Sequence, residues 1–213
     1  MRLLGMLALV LALVVTGVPS QAAAPDTSKD PRAIVRSALD EVLAVLGNSQ
    51  LNETQRFGRV KEIAYAQFDF DTMSKLVLAR NWKRFDAQQR EEFTREFREL
   101  LASTYGERLD RYGDVEVAIT GEQKHKRGDV SILTAVTEGQ FEGVEINYRL
   151  RPEQGTWKVI DVVIEGISLV SSYRTQFRDA LSGSSPAKLL ERMREKNIVP
   201  AGGESVATSP AST

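Results

Sequence analysis

Residues 86–112 read DAQQREEFTREFRELLASTYGERLDRY, the most regular stretch of the chain. Its apolar side chains recur at three- and four-residue intervals, the spacing that places them on one face of an α-helix. They are Phe93, Phe97, Leu100, Leu101, Tyr105, Leu109 and Tyr112. Asp86 followed by Gln89 is typical of a capping box, in which each side chain binds the backbone N–H of the other residue. The pattern predicts one long helix with a continuous apolar stripe.

The chain after Gly113 changes to an alternation with a period of two. Runs rich in Val, Ile and Thr predict four strands, at residues 114–119, 129–137, 142–151 and 156–165. The segments between them, residues 120–128, 138–141 and 152–155, have the composition of turns. Short turns favour an antiparallel meander. Residues 130–136 are apolar on both faces, which predicts an interior position in the sheet.

Further helices are predicted on both sides of the sheet. Asp30 and Pro31 are typical of a helix start, and Gly47 with Asn48 of its end. The apolar stripe of this first helix is Ile34, Val35, Ala38, Leu39, Val42, Leu43 and Leu46. A second helix, at residues 53–66, has a stripe of Phe57, Val60, Ile63 and Ala64. A third, capped by Asp69 or Asp71, falls within residues 68–82, and two more are expected at 168–181 and 186–196. Helices, then strands, then helices is the order of an α+β fold.

The two ends of the chain are predicted to lie outside the folded domain. Residues 1–24 have the short positive start, apolar run and small-residue end of a secretory signal peptide. The apolar run at residues 3–15 is shorter than the roughly 20 residues that span a bilayer. We expect a flexible lead-in at 25–30, a single domain at 31–198 and a disordered tail at 199–213. The mature protein is therefore expected to be exported.

Composition excludes several classes of function. The chain has no cysteine, so disulfides, thiol catalysis and thiolate metal sites are excluded. Of its 28 Lys and Arg only Arg2 lies in the signal segment, leaving 27 against 29 Asp and Glu. A nucleic-acid-binding protein would carry a clear excess of positive charge, so we expect no nucleic-acid partner.

Catalytic chemistry has few candidates. The only histidine, His125, lies within a basic loop, where a solvated position is the simplest interpretation. Asp69 and Asp71 are too few for a calcium site. Asp161 and Glu165 interrupt an apolar strand on one face, roughly 13 Å apart, and are best explained by a polar outer face or by salt bridges to arginines of the helices. They leave open the alternative of a small α+β enzyme that uses one of them as a base. We expect no cofactor, no metal and no catalytic site.

The apolar stripes leave a second question open. A stripe on the long helix and an apolar face on the strands fit a packed core, and they also fit the wall of a ligand cavity. Periodicity does not distinguish the two.

Three blocks of sequence resemble the MlaC-type periplasmic phospholipid-binding proteins, the toluene-tolerance auxiliary proteins of an ABC lipid transport system. They are FDFDTMSKLVLARNW at residues 68–82, FDAQQREEFTREFRELLASTYGERLDRY at 85–112, and WKVIDVVIEGISLV at 157–170. The likeness extends over residues 31–198. One departure is LARNW at residues 78–82, where the family more often has a glycine after the leucine. The turn before Trp82 is therefore expected to differ.

The resemblance implies a fold and a function. The fold is a twisted antiparallel sheet of four to five strands, packed with helices around an apolar pocket. The function is that of a monomeric periplasmic carrier for phospholipid, or for a hopanoid or other lipid. Its partners are an outer-membrane lipoprotein complex and an inner-membrane ABC transporter with a lipid-binding substrate domain. Binding by acyl chains is expected to ignore the identity of the headgroup.

The resemblance also implies candidate site residues. Phe93, Phe97, Leu101 and Tyr105 are expected to face the dry side of the sheet, and Ile160, Val162 and Ile164 to face the cavity. The full set of expected lipid-binding residues is Leu76, Phe93, Phe97, Leu101, Tyr105, Ile146, Tyr148, Leu150, Ile160, Val162, Ile164, Ile167 and Val170. Candidates for docking a partner are Arg80, Lys83, Arg84, Lys124, Lys126 and Arg127.

Overall fold

The computed structural model describes residues 30–106 and 115–195. Four helices and a 3-10 turn precede the sheet: α1 (Pro31–Leu46), α2 (Glu53–Gln67), α3 (Phe70–Leu78), the 3-10 helix (Ala79–Arg84) and α4 (Ala87–Gly106). The strands are β1 (Glu116–Lys124), β2 (Val130–Glu138), β3 (Ile146–Glu153), β4 (Thr156–Ile164) and β5 (Ile167–Ser168). Helices α5 (Leu169–Ala180) and α6 (Pro186–Arg194) complete the domain. The predicted α+β order is confirmed.

Several sequence predictions fall outside the described residues. These are the signal peptide at 1–24, most of the lead-in at 25–30, the last part of the long helix at 107–112, and the tail at 199–213.

Helix starts follow the capping residues of the sequence. The Asp30 carboxylate accepts a hydrogen bond from the Arg32 N–H at 2.9 Å, with Pro31 in the first turn of α1. At the start of α4, Asp86 Oδ1 accepts from the Gln89 N–H at 2.8 Å, and Gln89 Oε1 accepts from the Asp86 N–H at 3.2 Å. Asp69, rather than Asp71, caps α3. Because these contacts are local, the sequence predicts them correctly.

The sheet is an antiparallel meander in the order β1-β2-β3-β4-β5. Strand β2 lies between β1 and β3, which confirms its predicted interior position. The predicted link at residues 120–128 is wrong in part, because β1 continues as far as Lys124, opposite Val130. A register shift between Ile119 and Gly121 lets the polar continuation stay paired with β2. The side chains of this continuation are polar and mostly exposed. Composition alone therefore predicts a turn at these residues.

A second irregularity lies between β3 and β4. Arg149 is opposite Asp161, but Leu150 is opposite Val159, so Ile160 is an extra residue on its strand. A bulge of this kind reverses the alternation of side chains on its two sides. Val159, rather than Ile160, therefore lies on the same face as Val162 and Ile164. The predicted grouping of Ile160 with Val162 and Ile164 is wrong.

The first of two apolar clusters, here called the helical core, joins α3, α4, α5 and α6. Phe93 and Phe97 of α4 contact Phe177 of α5, with ring centroids 5.1 and 5.8 Å apart. Tyr173 lies 5.3 Å from Phe97 in an edge-to-face arrangement. These four rings are fully buried. Aromatic pairs at these separations contribute beyond the area they bury, so the four rings stabilise the helical core through both burial and ring geometry.

The second cluster lies between the sheet and helix α1. Its buried members are Val35, Val130, Ile132, Leu150, Val159, Val162 and Leu169. The junction of α2 and α3 joins the same sheet, because the Asp69 N–H donates to the Val159 carbonyl at 2.9 Å. Helices α1 and α2 are thereby held over one face of the sheet.

The turn before Trp82 has an unusual backbone conformation at the position where the sequence has alanine. Ala79, which ends α3, has φ of +48°, a backbone region that favours glycine. A residue with a Cβ is strained there. The sequence departure at LARNW therefore places alanine where glycine fits better.

Replacing Ala79 by Gly is expected to stabilise the protein by about 1 kcal/mol, because it removes this strain. The midpoint of thermal unfolding should rise by roughly 2–4 °C for a chain of this size. Ala44 is exposed within α1, and Ala44→Gly should destabilise by about 1 kcal/mol as the matched control. Equal effects of the two substitutions would contradict the assignment of strain to Ala79.

Asp129 is a buried carboxylate at the start of β2. Arg151 donates to it from Nε at 2.8 Å and from Nη2 at 2.9 Å, and Arg149 Nη2 donates at 2.9 Å. The hydrogen bond from Arg151 and the charges of both arginines hold the pKa of Asp129 below its ordinary value. Because the native pKa is lowered, the stabilisation is complete above the ordinary pKa and is lost as the pH falls through the native pKa.

Asp129→Asn is expected to lower the free energy of unfolding by about 2 kcal/mol at pH 7, since the arginines are partly exposed and screened. The difference from the wild type should begin to shrink below about pH 4, where the unfolded-state carboxylate becomes protonated, and should vanish at lower pH once the native carboxylate is protonated as well. Urea unfolding at several pH values measures both effects. Asp179→Asn removes an exposed pair with Arg178 and serves as a control that should change little. A difference independent of pH would contradict the role given to the Asp129 charge.

Candidate functional site

An apolar cavity of about 370 Å³ lies between helices α1 and α2, the end of α4 and one face of the sheet. This volume falls within the roughly 300–1,000 Å³ of typical small-molecule sites. The helical part of its wall is Ile34, Val35, Ala38, Leu39, Val42, Leu43, Leu46, Phe57, Val60, Lys61, Ile63, Ala64, Tyr65, Gln67, Phe68, Phe70, Arg98, Leu101, Ala102, Tyr105, Gly106 and Leu169. The sheet and its connections add Val115, Val117, Val136, Phe141, Val144, Ile146, Tyr148, Val159, Val162 and Ile164.

Helices α1 and α2 supply a large share of this wall, although no residue of either was predicted as a site residue. All seven members of the α1 stripe and all four members of the α2 stripe line the cavity. Only Val35, Leu46 and Val60 of these helices are fully buried. The stripes themselves were the available signal, but the helical period does not reveal that they face a cavity.

Helix α4 divides its stripe between two environments. Phe93 and Phe97 pack in the helical core, whereas Leu101 and Tyr105 reach the cavity. Near the end of the helix, a Cβ placed on Gly106 would lie 1.9 Å from the Phe57 ring. Glycine is therefore needed here for α2 to approach α4 and close this side of the cavity.

Six of the thirteen predicted lipid-binding residues line the cavity. They are Leu101, Tyr105, Ile146, Tyr148, Val162 and Ile164. Across β3 and β4, Tyr148 lies opposite Val162 and Ile146 opposite Ile164, so these four form one patch of the wall. Burial raises the pKa of Tyr148 to about 12, which keeps its phenol neutral within the apolar wall.

The other seven predicted residues lie elsewhere. Phe93, Phe97 and Val170 belong to the helical core, and Leu76 packs against it. This corrects the expectation that Phe93 and Phe97 face the sheet, since rings from α5 and not strand residues cover them. The remaining three are Leu150 in the cluster between sheet and α1, the buried bulge residue Ile160, and Ile167, which is 51% exposed in the turn after β4.

Among the described lining residues, charged groups reach the cavity wall where α2 lies beside α4. Lys61 Nζ is 2.6 Å from Glu99 Oε2, and the Tyr65 hydroxyl donates to Glu99 Oε1 at 2.8 Å. The Arg98 guanidinium lies over the Tyr65 ring, 4.3 Å from its centroid. The hydrogen bond to Glu99 raises the pKa of Lys61. Burial opposes ionisation of Glu99, but the bonds from Lys61 and Tyr65 outweigh it and lower the pKa of that carboxyl.

The two carboxylates considered as catalytic bases have structural roles. Asp161 accepts hydrogen bonds from Ser168 Oγ at 2.6 Å and from the Val170 N–H at 3.0 Å, at the start of α5. Glu165 accepts from the Glu145 N–H at 2.5 Å. Neither lines the cavity, and no Asp or Glu is among the lining residues of the described chain. Within residues 30–106 and 115–195, no group of three His, Asp or Glu is placed to hold a metal ion.

The candidate docking residues form two groups on the chain. Arg80, Lys83 and Arg84 lie in the 3-10 helix, and Lys124, Lys126 and Arg127 flank the β1–β2 turn. All six are exposed. Arg84 also donates to the carbonyl oxygens of Leu181 and Ser184, so it joins the 3-10 helix to the segment after α5.

Comparison with known proteins identifies the family. A sequence profile described as MlaC protein matches residues 36–195. The chain belongs to the MlaC family. Its relatives include the toluene tolerance protein ttg2D of Pseudomonas putida, 24% identical over 72% of this chain and 74% of that protein. The intermembrane phospholipid transport system binding protein MlaC of Haemophilus influenzae is 23% identical over 90% of this chain and 92% of that protein.

A solved structure has the same fold as this MlaC-family chain. It is a phospholipid-binding protein from Ralstonia solanacearum in complex with a phospholipid. The TM-score is 0.70 at 27% identity, over 78% of this chain and 96% of the other. Among the described residues of the MlaC-family chain, no helix combines the length and the apolar composition needed to cross a membrane.

The cavity of this MlaC-family chain is expected to bind a neutral apolar dye such as Nile red. Ala64→Phe should reduce the binding severalfold, because the added ring occupies part of the cavity. Ala66→Phe is the matched control, since Ala66 is exposed on the same helix and is not part of the wall. A fluorescence titration compares the two variants. Equal loss of binding in both would show that the dye binds elsewhere.

Proposed function

We propose that the chain is an exported periplasmic carrier that holds the acyl chains of a phospholipid in the cavity and moves lipid between membrane complexes. The observation that carries the proposal is the apolar cavity between α1, α2 and the sheet. Support comes from a relative of the same fold whose structure contains a phospholipid, and from a relative named as the binding protein of a phospholipid transport system.

Apolar burial accounts for how the cavity would retain a lipid in water. Each buried methylene contributes about 0.8 kcal/mol, so a 16-carbon chain contributes roughly 13 kcal/mol. The acyl chains of a lipid in a membrane are already out of water, so this free energy retains the lipid in the cavity and does not by itself drive its extraction. Dissociation into water would be very slow for the same reason, so release requires a partner that opens the cavity.

Helices α1 and α2 are the part of the wall best suited to open. Their apolar stripes face the cavity and bury few residues completely, whereas α4 is fixed by the aromatic rings of the helical core. Moving α1 and α2 away from the sheet would widen the cavity without disturbing that core. Bound lipid would contact the apolar stripes of α1 and α2 in place of the empty cavity. It would therefore favour the position of the two helices close to the sheet.

Location and partners follow from the family resemblance. The signal segment at 1–24 would direct export to the periplasm. The partners would be an outer-membrane lipoprotein complex and an inner-membrane ABC transporter with a lipid-binding substrate domain, served by a monomeric carrier. Arg80, Lys83, Lys124, Lys126 and Arg127 are exposed and remain candidates for docking these partners.

A hopanoid or other lipid in the same cavity is the alternative ligand within this function. An apolar wall accepts a polycyclic lipid and an acyl chain by the same effect. The enzyme alternative has no support from the site. Asp161 accepts a hydrogen bond from the backbone at the start of α5, and Glu165 accepts one from the backbone just before β3.

The test is native mass spectrometry and solvent extraction of protein purified from cells of its own source, so that it has met its own membrane lipids; near-stoichiometric phospholipid is expected. Val162→Asp should lose the lipid while remaining folded, because a charge in the apolar wall is costly to desolvate. Ile167→Asp introduces the same change on an exposed residue and should keep its lipid. A wild-type protein without lipid would overturn the proposal, and a polycyclic lipid would establish the alternative ligand.

A further inference from the structure

The cavity wall contains one cationic site, here called the α2–α4 cation pair, formed by Lys61 and Arg98. Among the described lining residues they are the only charged ones, and both are positive. Glu99 neutralises one of the two charges through its 2.6 Å contact with Lys61. One positive charge therefore remains in excess at a wall that is otherwise almost entirely apolar.

Arg98 has hydrogen-bonding capacity that the described chain does not use. Its guanidinium stacks on Tyr65, which orients the group without using its N–H donors. Its Nε is buried and has no hydrogen-bond partner among the described residues. A buried donor without an acceptor is costly, so the site favours a ligand that supplies an acceptor, above all an anionic one.

The cation pair lies where the cavity meets solvent. The Lys61 side chain is 28% exposed and that of Glu99 46% exposed, although Lys61 also lines the cavity. An amphipathic ligand places its polar end at such a boundary and its apolar part along the remaining wall. For a lipid in this cavity, the boundary at α2 and α4 is the position of the headgroup.

We propose that Arg98, oriented by Tyr65 and assisted by Lys61, binds the phosphate of a phospholipid whose acyl chains occupy the apolar cavity. This inference rests on the proposed carrier function and assigns the orientation of the lipid in it. Glu99 limits the net charge of the site by holding Lys61. Recognition ends at the phosphate, so the group attached beyond it is not distinguished.

The test uses the full mature chain and three lipids with identical oleoyl chains: phosphatidylglycerol, phosphatidylethanolamine and diacylglycerol. An equimolar mixture in detergent is offered to delipidated protein, and native mass spectrometry measures the bound ratio. The two phospholipids should load equally, each about tenfold above diacylglycerol, because a hydrogen bond to a charged group has that magnitude. Equal loading of all three lipids would overturn the inference and leave the carrier function intact.

Two substitutions of opposite expected effect make the test specific. Arg98→Gln should bring the preference for phospholipid over diacylglycerol close to one while total loading persists. Glu99→Gln should increase the preference, because it releases Lys61. Arg95→Gln on the exposed side of the same helix is the matched control and should behave as the wild type. Unchanged preference in Arg98→Gln, or a lower one in Glu99→Gln, would overturn the assignment.

A further arm separates lipid phosphate from free phosphate. Excess inorganic phosphate should leave the lipid ratio unchanged, since it lacks the acyl chains that hold the lipid in the cavity. If inorganic phosphate removes the preference, the site binds free anions and the headgroup assignment fails. If no lipid of any kind loads into the wild type, the carrier function itself fails.

Discussion

Aromatic packing between α4 and α5 is the interaction on which the rest of the structure depends. A cavity removes contact partners from the side chains around it and forfeits their dispersion energy. The chain compensates with a helical core in which Phe93, Phe97, Tyr173 and Phe177 are fully buried. That core fixes the first half of α4, so its second half can form a wall without being packed on every side. The first half of α4 therefore stabilises the fold, and its second half forms part of the cavity wall.

The sequence predicted the elements well because their signals are local. Capping contacts at Asp30 and Asp86, the long apolar stripe and the order of helices and strands depend on neighbours a few residues apart. The cavity depends on distances between elements that are remote in sequence. The stripe of α1 and the stripe of α4 have the same helical period, yet one lines the cavity along its whole length and the other is divided between a core and a wall. Periodicity identifies which side of a helix is apolar and carries no information about what lies opposite.

The residues of the cavity wall that lie on the sheet also show why a sequence pattern alone does not identify a site. Ile146, Tyr148, Val162 and Ile164 were expected at the cavity from the family resemblance together with the alternation along their strands, and they do line it. Ile160 was predicted by the same rule and does not, because the bulge opposite Leu150 adds one residue to β4. Val159 takes the place on the wall. A bulge arises from how two strands pair, so the sequence of β4 alone does not contain it. The charged pair of Lys61 and Arg98 was missed for a related reason, since it joins two helices and lies on neither predicted stripe.

The attachment of α1 and α2 has an evolutionary consequence. Helix α1 packs on the sheet through the second cluster, and the junction of α2 and α3 joins it through the backbone contact between Asp69 and Val159, while the aromatic rings of the helical core lie in α4 and α5. Substitutions in the α1 and α2 stripes change the shape of the cavity without touching those rings. A lineage can therefore change the shape of the cavity through residues that lie outside the aromatic core. The residues that stabilise the fold and the residues that shape the cavity are therefore largely different residues of the same chain.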